Sequence, residues 1–218
     1  GSRTSSLLYQ RQCFQIKMIH VVDDFFSDVF SVKKEALSMR YSIDSLHGRY
    51  PGYRSDDVAS FTKLLVSKQV KKLTGDETLN CRYISYQYIP SKYKEGCFHQ
   101  DDVKYTCIIY LNDGVDSGTE VCETIPKMEF SLYKKHVSLK EDFYKNPNDL
   151  IKSFKCHRMI KKVNSYFSPT YTVASKMNRM LLFKGNLYHR AQNFFGDSVE
   201  NSRLTLVSFF AWILFLNN

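Results

Sequence analysis

Three residues have the types that metal chemistry asks for, and two of them have a telling spacing. His99 and Asp101 stand two apart in His99-Gln100-Asp101, just past a strand-like run from Arg82 to Pro90. On extended backbone such neighbours point to the same side, so an imidazole nitrogen and a carboxylate oxygen converge on one point. A second histidine, His189, follows the apolar strand and turn Met180 to Tyr188. Two imidazoles and one carboxylate on a shared face form the donor set that holds non-haem Fe(II) and leaves other positions open. Asp102 is an alternative carboxylate. Arg203, fourteen residues beyond His189, opens a further strand. Arg203, Thr205, Val207 and Phe209 share one face of it, and the Val and Phe mark that face as interior. An interior arginine needs an anion, and a small dicarboxylate would serve.

These residues must be positioned by a sheet. From Arg82 onward the hydrophobic period is two, and Arg82 to Ile89, Tyr105 to Asn112, Thr119 to Glu123, Arg179 to Phe183 and Leu204 to Trp212 read as strands. Ahead of them lie a short strand, Ile19 to Phe26, and two helices. The first is capped by Ser27 and runs to about Met39. The second runs from near Ser55 to Leu73, with Val58, Phe61, Leu64, Leu65 and Val70 as its apolar side. Helices followed by short strands predict an α+β chain with a double-stranded β-helix (jelly-roll or cupin-like) core and the N-terminal helices outside.

Residues 126–175 interrupt the strands. Ser138-Leu139-Lys140-Glu141 has the pattern of a capping box, and Pro147-Asn148-Asp149 opens a second helix through Val163. The stretch is expected to be an inserted helical, lid-like segment of a single domain, 19–218, with 1–18 a flexible lead. The loop His47 to Ser55 brings Tyr53 and Arg54 as candidates for a substrate entrance, and His157 of the insertion is a third.

Composition sets the bounds. With 218 residues, 43% hydrophobic and 15% aromatic, the chain can bury its own core and is not disordered in bulk. The formal net charge of +9 favours acidic partners, nucleic acid among them, although no arginine-rich block or nucleic-acid module is present. The six cysteines (Cys13, Cys81, Cys97, Cys107, Cys122 and Cys156) lack CxxC spacing, which excludes a zinc ribbon. The longest apolar run, Leu204 to Leu216, is shorter than a membrane span. A reducing intracellular setting, cytoplasmic or nuclear, is expected, with no membrane partner.

The order of these motifs resembles the Fe(II)/2-oxoglutarate-dependent oxygenases, and among them the prolyl-4-hydroxylase-like branch. Val21 to Ser27 and the Tyr86-Gln87-Tyr88 strand fit that branch. Ile108-Ile109-Tyr110-Leu111-Asn112 followed by Ser117-Gly118-Thr119-Glu120 matches its YLN…GG-T segment, with Ser117 in place of the first Gly. The resemblance spans roughly Ile19 to Trp212. It implies His99, Asp101 and His189 as Fe(II) ligands, with 2-oxoglutarate and O2 as cosubstrates. It implies Arg203 as the partner of the distal carboxylate, helped by the hydroxyl of Tyr88 or, failing that, Tyr93. The implied reaction is hydroxylation of an unactivated C–H bond, with CO2 and succinate as co-products. A peptidyl or amino-acid substrate comes first, a nucleobase second. The segment after Arg203 lacks the second arginine of the DNA-repair dealkylases. A non-catalytic cupin-like binding domain is the competing class.

Overall fold

The computed structural model describes residues 19–212, apart from 45, 46, 115, 125 and 129. The expected lead 1–18, Cys13 and the end of the apolar run to Leu216 lie outside the described residues. Two antiparallel sheets form the core. The larger has seven strands in the order β1 (Ile19–Val22), β8 (Met180–Lys184), β5 (Tyr105–Tyr110), β10 (Arg203–Trp212), β4 (Leu79–Ile89), β3 (Tyr53–Ser55) and β2 (Tyr41–Ser42). The smaller has three, β7 (Tyr171–Ala174), β6 (Gly118–Cys122) and β9 (Tyr188–Ala191). This is the expected α+β architecture with a jelly-roll core.

The central strands of the larger sheet are buried on both faces, which is why they read as near-continuous apolar runs. Leu204, Leu206 and Phe210 of β10, Cys107 and Ile109 of β5, and Met180 and Leu182 of β8 face the N-terminal helices. Val207, Ile108, Tyr110, Leu181 and Phe183 face the smaller sheet. Each Leu or Phe so buried contributes about 1.5–3 kcal/mol. Register fixes which side chains share the inner face. Thr205 of β10 stands opposite Gln87 of β4 and Tyr110 of β5, and Gln87 stands opposite Arg54 of β3.

Helix α1 (Val29–Ser38) is capped by Asp28, one residue after the expected Ser27, because the Asp28 carboxylate accepts from Ser31 N at 3.0 Å. Helix α2 (Ser60–Thr74) ends at Gly75, whose φ of +66° suits glycine. Its buried side is Thr62, Val66 and Val70, while Phe61 and Leu64 are 69% and 64% exposed, contrary to the apolar side expected. At ~100° per residue, Phe61 and Leu64 stand well round the helix from Val66. Val66→Ala is therefore expected to cost about 1–3 kcal/mol and Phe61→Ala less than about 0.5, read by thermal unfolding.

Of the expected insertion, residues 126–175, the helices are α3 (Phe130–Lys145) and α4 (Leu150–Asn164), but its end is β7, which pairs with β6 and belongs to the smaller sheet. Ser138 sits inside α3 rather than at its start, so Ser138 to Glu141 is no capping box. Asp149 does cap α4, accepting from Ile151 N and Lys152 N at 3.0 Å each. The pair buries Phe143, Tyr144, Cys156 and Ile160 against Tyr93, Cys97 and Phe98, and so joins its core to the loop leading to His99. Among the described residues, no helix is long and apolar enough to cross a membrane.

Candidate metal centre

His99 and His189 are held by each other's backbone. His99 N donates to the His189 carbonyl at 3.0 Å and His189 N to the His99 carbonyl at 2.9 Å, an isolated antiparallel bridge at the end of the smaller sheet. Asp101, two residues on, donates its N–H to the Gly185 carbonyl at 2.9 Å. The side chains of His99 and Asp101 turn toward one point.

The side chains converge. His189 Nε2 lies 3.2 Å from Asp101 Oδ2 and His99 Nε2 3.6 Å from Asp101 Oδ1. The three ligand atoms all lie within 4.8 Å of one another. Each Nδ1 is 2.9–3.0 Å from the backbone carbonyl two residues back, Cys97 for His99 and Leu187 for His189. Those contacts assign the proton to Nδ1 and leave the Nε2 lone pairs facing the cluster. Thr106 Oγ1 donates to Asp101 Oδ2 at 2.6 Å and fixes the carboxylate.

Electrostatics prepares the cluster for a cation. The His99 side chain is 45% exposed where it opens on a cavity, and its ring lies 4.3 Å from that of His189 between centroids. Burial and then His189 lower its pKa to about 4, so the ring is neutral at pH 7. Burial pushes the Asp101 carboxyl up, but its contacts with His189 and His99 and the hydrogen bond from Thr106 outweigh it and hold it well below the usual range. A neutral imidazole and an ionised carboxylate are the forms that bind metal. The donor set suits one first-row ion with positions left open. Asp102 is exposed and stays outside the cluster.

Gly185 makes a sharp test of the scaffold. A Cβ there would stand 2.3 Å from the Val103 carbonyl oxygen and 3.0 Å from that of Asp101. Gly185→Ala must displace the loop carrying Asp101, and we expect metal affinity to fall by about 10–100-fold while the fold persists, read by calorimetric titration with zinc.

The cluster opens on a cavity of about 680 Å³ that Arg203 also lines. Arg203 is 2% exposed, and its Nε and Nη2 have no partner among the described residues. Its neighbour is the Tyr110 ring, 5.4 Å from the guanidinium carbon. Burial lowers the Arg203 pKa and Tyr110 pushes it back up; no acid contributes. Tyr110 donates to Thr119 Oγ1 at 2.8 Å, and Thr119 lines the cavity.

The structure does not bring Tyr88 or Tyr93 to this cavity. Tyr88 lies one residue off the inner face, since Gln87 and Ile89 are the neighbours that line it; its ring stacks on Tyr53 at 4.7 Å. Tyr93 is buried against Phe143 and Tyr144. Tyr110 is the tyrosine beside Arg203. Its place on the inner face of a strand was readable by alternation from Ile108, but its nearness to Arg203 depends on the register of β5 with β10.

Of the substrate candidates, Arg54 lines the cavity. Tyr53 turns the other way and accepts from Lys92 Nζ at 2.9 Å. His157 is buried in the helical pair, its Nε2 3.1 Å from the Tyr93 carbonyl and its Nδ1 3.2 Å from Ser153 Oγ. From the insertion it is Val137, Lys140 and Tyr144 of α3 that border the cavity.

Similar folds occur in solved structures. HygX from Streptomyces hygroscopicus, with nickel, 2-oxoglutarate and hygromycin B bound, is 13% identical with a TM-score of 0.61, over 93% of this chain and 86% of that one. SnoN, described as a non-haem α-ketoglutarate-dependent epimerase of nogalamycin biosynthesis, is 9% identical with a TM-score of 0.55, over 91% and 77%. SnoK, described as a carbocyclase of the same biosynthesis, is 10% identical with a TM-score of 0.54, over 96% and 87%. At these identities the likeness is one of fold. No curated protein matches the chain in sequence. A sequence family described only as a family of unknown function (DUF6445) matches residues 9–210.

Proposed function

Since the chain belongs to the DUF6445 family of unknown function, its activity is to be read from its site, and we propose that it is an Fe(II)- and 2-oxoglutarate-dependent oxygenase. The observation that carries this reading is a buried guanidinium, with no acidic partner among the described residues, lining the same cavity as two imidazoles and a carboxylate. A triad alone fits many metal enzymes. A triad facing an interior cation with nothing to neutralise it fits a ligand that is a metal chelator at one end and a carboxylate at the other.

His99, Asp101 and His189 would hold the iron, and Arg203 would take the distal carboxylate of 2-oxoglutarate, with Thr119 lining the cavity beside it and Tyr110 behind both. With iron, 2-oxoglutarate and O2 bound, such a centre supplies an oxidant able to attack an unactivated C–H bond, releasing CO2 and succinate. The chain's own part is to orient these groups and exclude water. Thr106 holds the Asp101 carboxylate, and the two backbone carbonyls hold the imidazoles in the ligating tautomer. We put hydroxylation first as the outcome, on the resemblance of the strand motifs; HygX, SnoN and SnoK lend support through a shared fold and, in HygX, bound 2-oxoglutarate and metal. The descriptions of SnoN and SnoK make product analysis part of the test.

The test is conversion of 2-oxoglutarate to succinate by the purified protein in air. Succinate that requires Fe(II) and disappears in His189→Ala supports the reading. An iron-loaded protein that neither binds nor converts 2-oxoglutarate would overturn it and favour a binding domain of cupin type.

A further inference from the structure

The cavity holds a second guanidinium that neither the triad nor a dicarboxylate on Arg203 accounts for. Arg54 of β3 stands in register with Gln87 and, through it, Thr205, so it lies on the inner face of the large sheet. Its guanidinium carbon sits 3.9 Å over the Tyr50 ring centre and 5.4 and 5.5 Å from those of Tyr83 and Phe209. Its Nε has no hydrogen-bond partner among the described residues. Burial lowers its pKa; Tyr83, which also takes a side-chain hydrogen bond from it, and Tyr50 oppose this, and the carboxylate that adds to them, at longer range, is Asp101 of the triad. Three other arginines are matched by acids: Arg49 pairs with Asp44 at 2.8 Å, Arg179 with Asp23 at 2.6 Å, and Arg190 with Glu95 and Glu120.

Charge balance says what is missing. With a divalent metal on the triad and 2-oxoglutarate on Arg203, the metal, Asp101, Arg203 and the dianion cancel, and Asp101 no longer compensates Arg54. The remaining acid of the lining is Asp102, which is exposed, against Arg54, Arg82 and Lys140, with Arg49 already paired with Asp44. The filled cavity is therefore left positive. Its volume of about 680 Å³ lies in the range of pockets for drug-sized ligands, so it has room beyond a five-carbon dicarboxylate. The stretch bearing Tyr50 and Arg54 is also fixed in advance. Gln87 Nε2 donates to the Pro51 carbonyl at 2.9 Å, and Gly52, at φ +77°, leaves no room for a Cβ, which would meet the Tyr88 carbonyl at 2.3 Å.

Resting on the oxygenase reading, we propose that Arg54 binds an oxyanion, a carboxylate or phosphate, of the primary substrate against the aromatic wall of Tyr50, so that the enzyme acts on small anionic molecules. A guanidinium is suited to this because its fork can bond two oxygens at once.

The test is calorimetry on zinc-loaded protein saturated with 2-oxoglutarate, using benzoate, phenyl phosphate and neutral benzamide as probes. At least one anion is expected to bind about tenfold or more tightly than benzamide, the size of one charged hydrogen-bonded contact. Arg54→Gln should remove that preference and Arg54→Lys only part of it, with 2-oxoglutarate affinity, titrated separately, within about twofold of wild type, since Arg54 is not its partner. The order of benzoate and phenyl phosphate tells which oxyanion the site prefers. The comparison of charged with neutral probes in the wild type needs no variant to fold. Anions that bind no better than benzamide, or an Arg54→Gln protein that keeps the preference, would overturn the proposal while normal 2-oxoglutarate binding left the oxygenase reading standing. Failure of 2-oxoglutarate to bind the wild type would overturn both.

Discussion

Arg203→Ala is expected to weaken 2-oxoglutarate binding by about 1.5–3 kcal/mol, roughly 10- to 150-fold, while metal affinity stays near wild type. The loss follows from removing a cation that lines the cavity, 2% exposed and paired with no acid among the described residues. Arg203→Lys keeps the charge but not the fork and should fall between. A third substitution separates a binding role from a structural one through the sign of its effect on stability. A buried cation without a partner costs folding free energy, so Arg203→Met, which keeps length and volume without charge, should raise the unfolding temperature of the ligand-free protein. An arginine that held the fold together would give the opposite sign. Calorimetric titration and a thermal melt on the same sample read both.

Loss of a ligand should have the larger effect on the metal itself. Asp101→Ala and His189→Ala are each expected to lower affinity for a first-row divalent ion by more than about 100-fold, beyond the 10–100-fold typical of supporting residues. Thr106→Val removes one hydrogen bond to Asp101 Oδ2 and should fall within that supporting range. The Asp101 carboxyl also links stability to pH. Its folded pKa is depressed, so its contribution is fully present above the unfolded carboxylate value of about 4 and is lost as the pH falls through its folded pKa. In Asp101→Ala that part of the acid sensitivity should vanish. Metal titration with competing chelator, and melts across pH, measure these effects.

Much of the site was legible because its parts depend on short-range rules. The two-residue alternation of extended chain predicts that His99 and Asp101 converge, as they do, and the same rule puts Arg203 on the face of Val207. The longer strands followed from runs of Ile, Val, Tyr and Phe, while the short strands Tyr41–Ser42, Tyr53–Ser55, Tyr171–Ala174 and Tyr188–Ala191, two to four residues each, offer too little alternation to be read. What the sequence could not show depends on long-range register or on competing local signals. Tyr88 and Tyr110 are both strand tyrosines; only the pairing of Thr205 with Tyr110 and of Leu204 with Tyr88 decides which faces inward. Ser27 and Asp28 are adjacent cap formers, and geometry chose the second. Ser138 and Glu141 carry a capping pattern, but α3 starts well before them and the pattern is spent inside a helix. His157 looks like a free histidine until the Tyr93 carbonyl is brought against it by the packing of α4. The outward face of Phe61 is set by which side of α2 meets the sheet, and that side is chosen by Val66 and Val70.

The central claim is that one cavity binds iron through His99, Asp101 and His189 and 2-oxoglutarate through both the iron and Arg203. It is tested most directly by titrating 2-oxoglutarate into Fe(II)-loaded protein without air and following visible absorption. The account predicts a charge-transfer band that saturates at one 2-oxoglutarate per iron, is absent from His189→Ala, and needs about 10- to 150-fold more 2-oxoglutarate in Arg203→Ala. Wild-type protein that holds iron yet shows no band at saturating 2-oxoglutarate would contradict it.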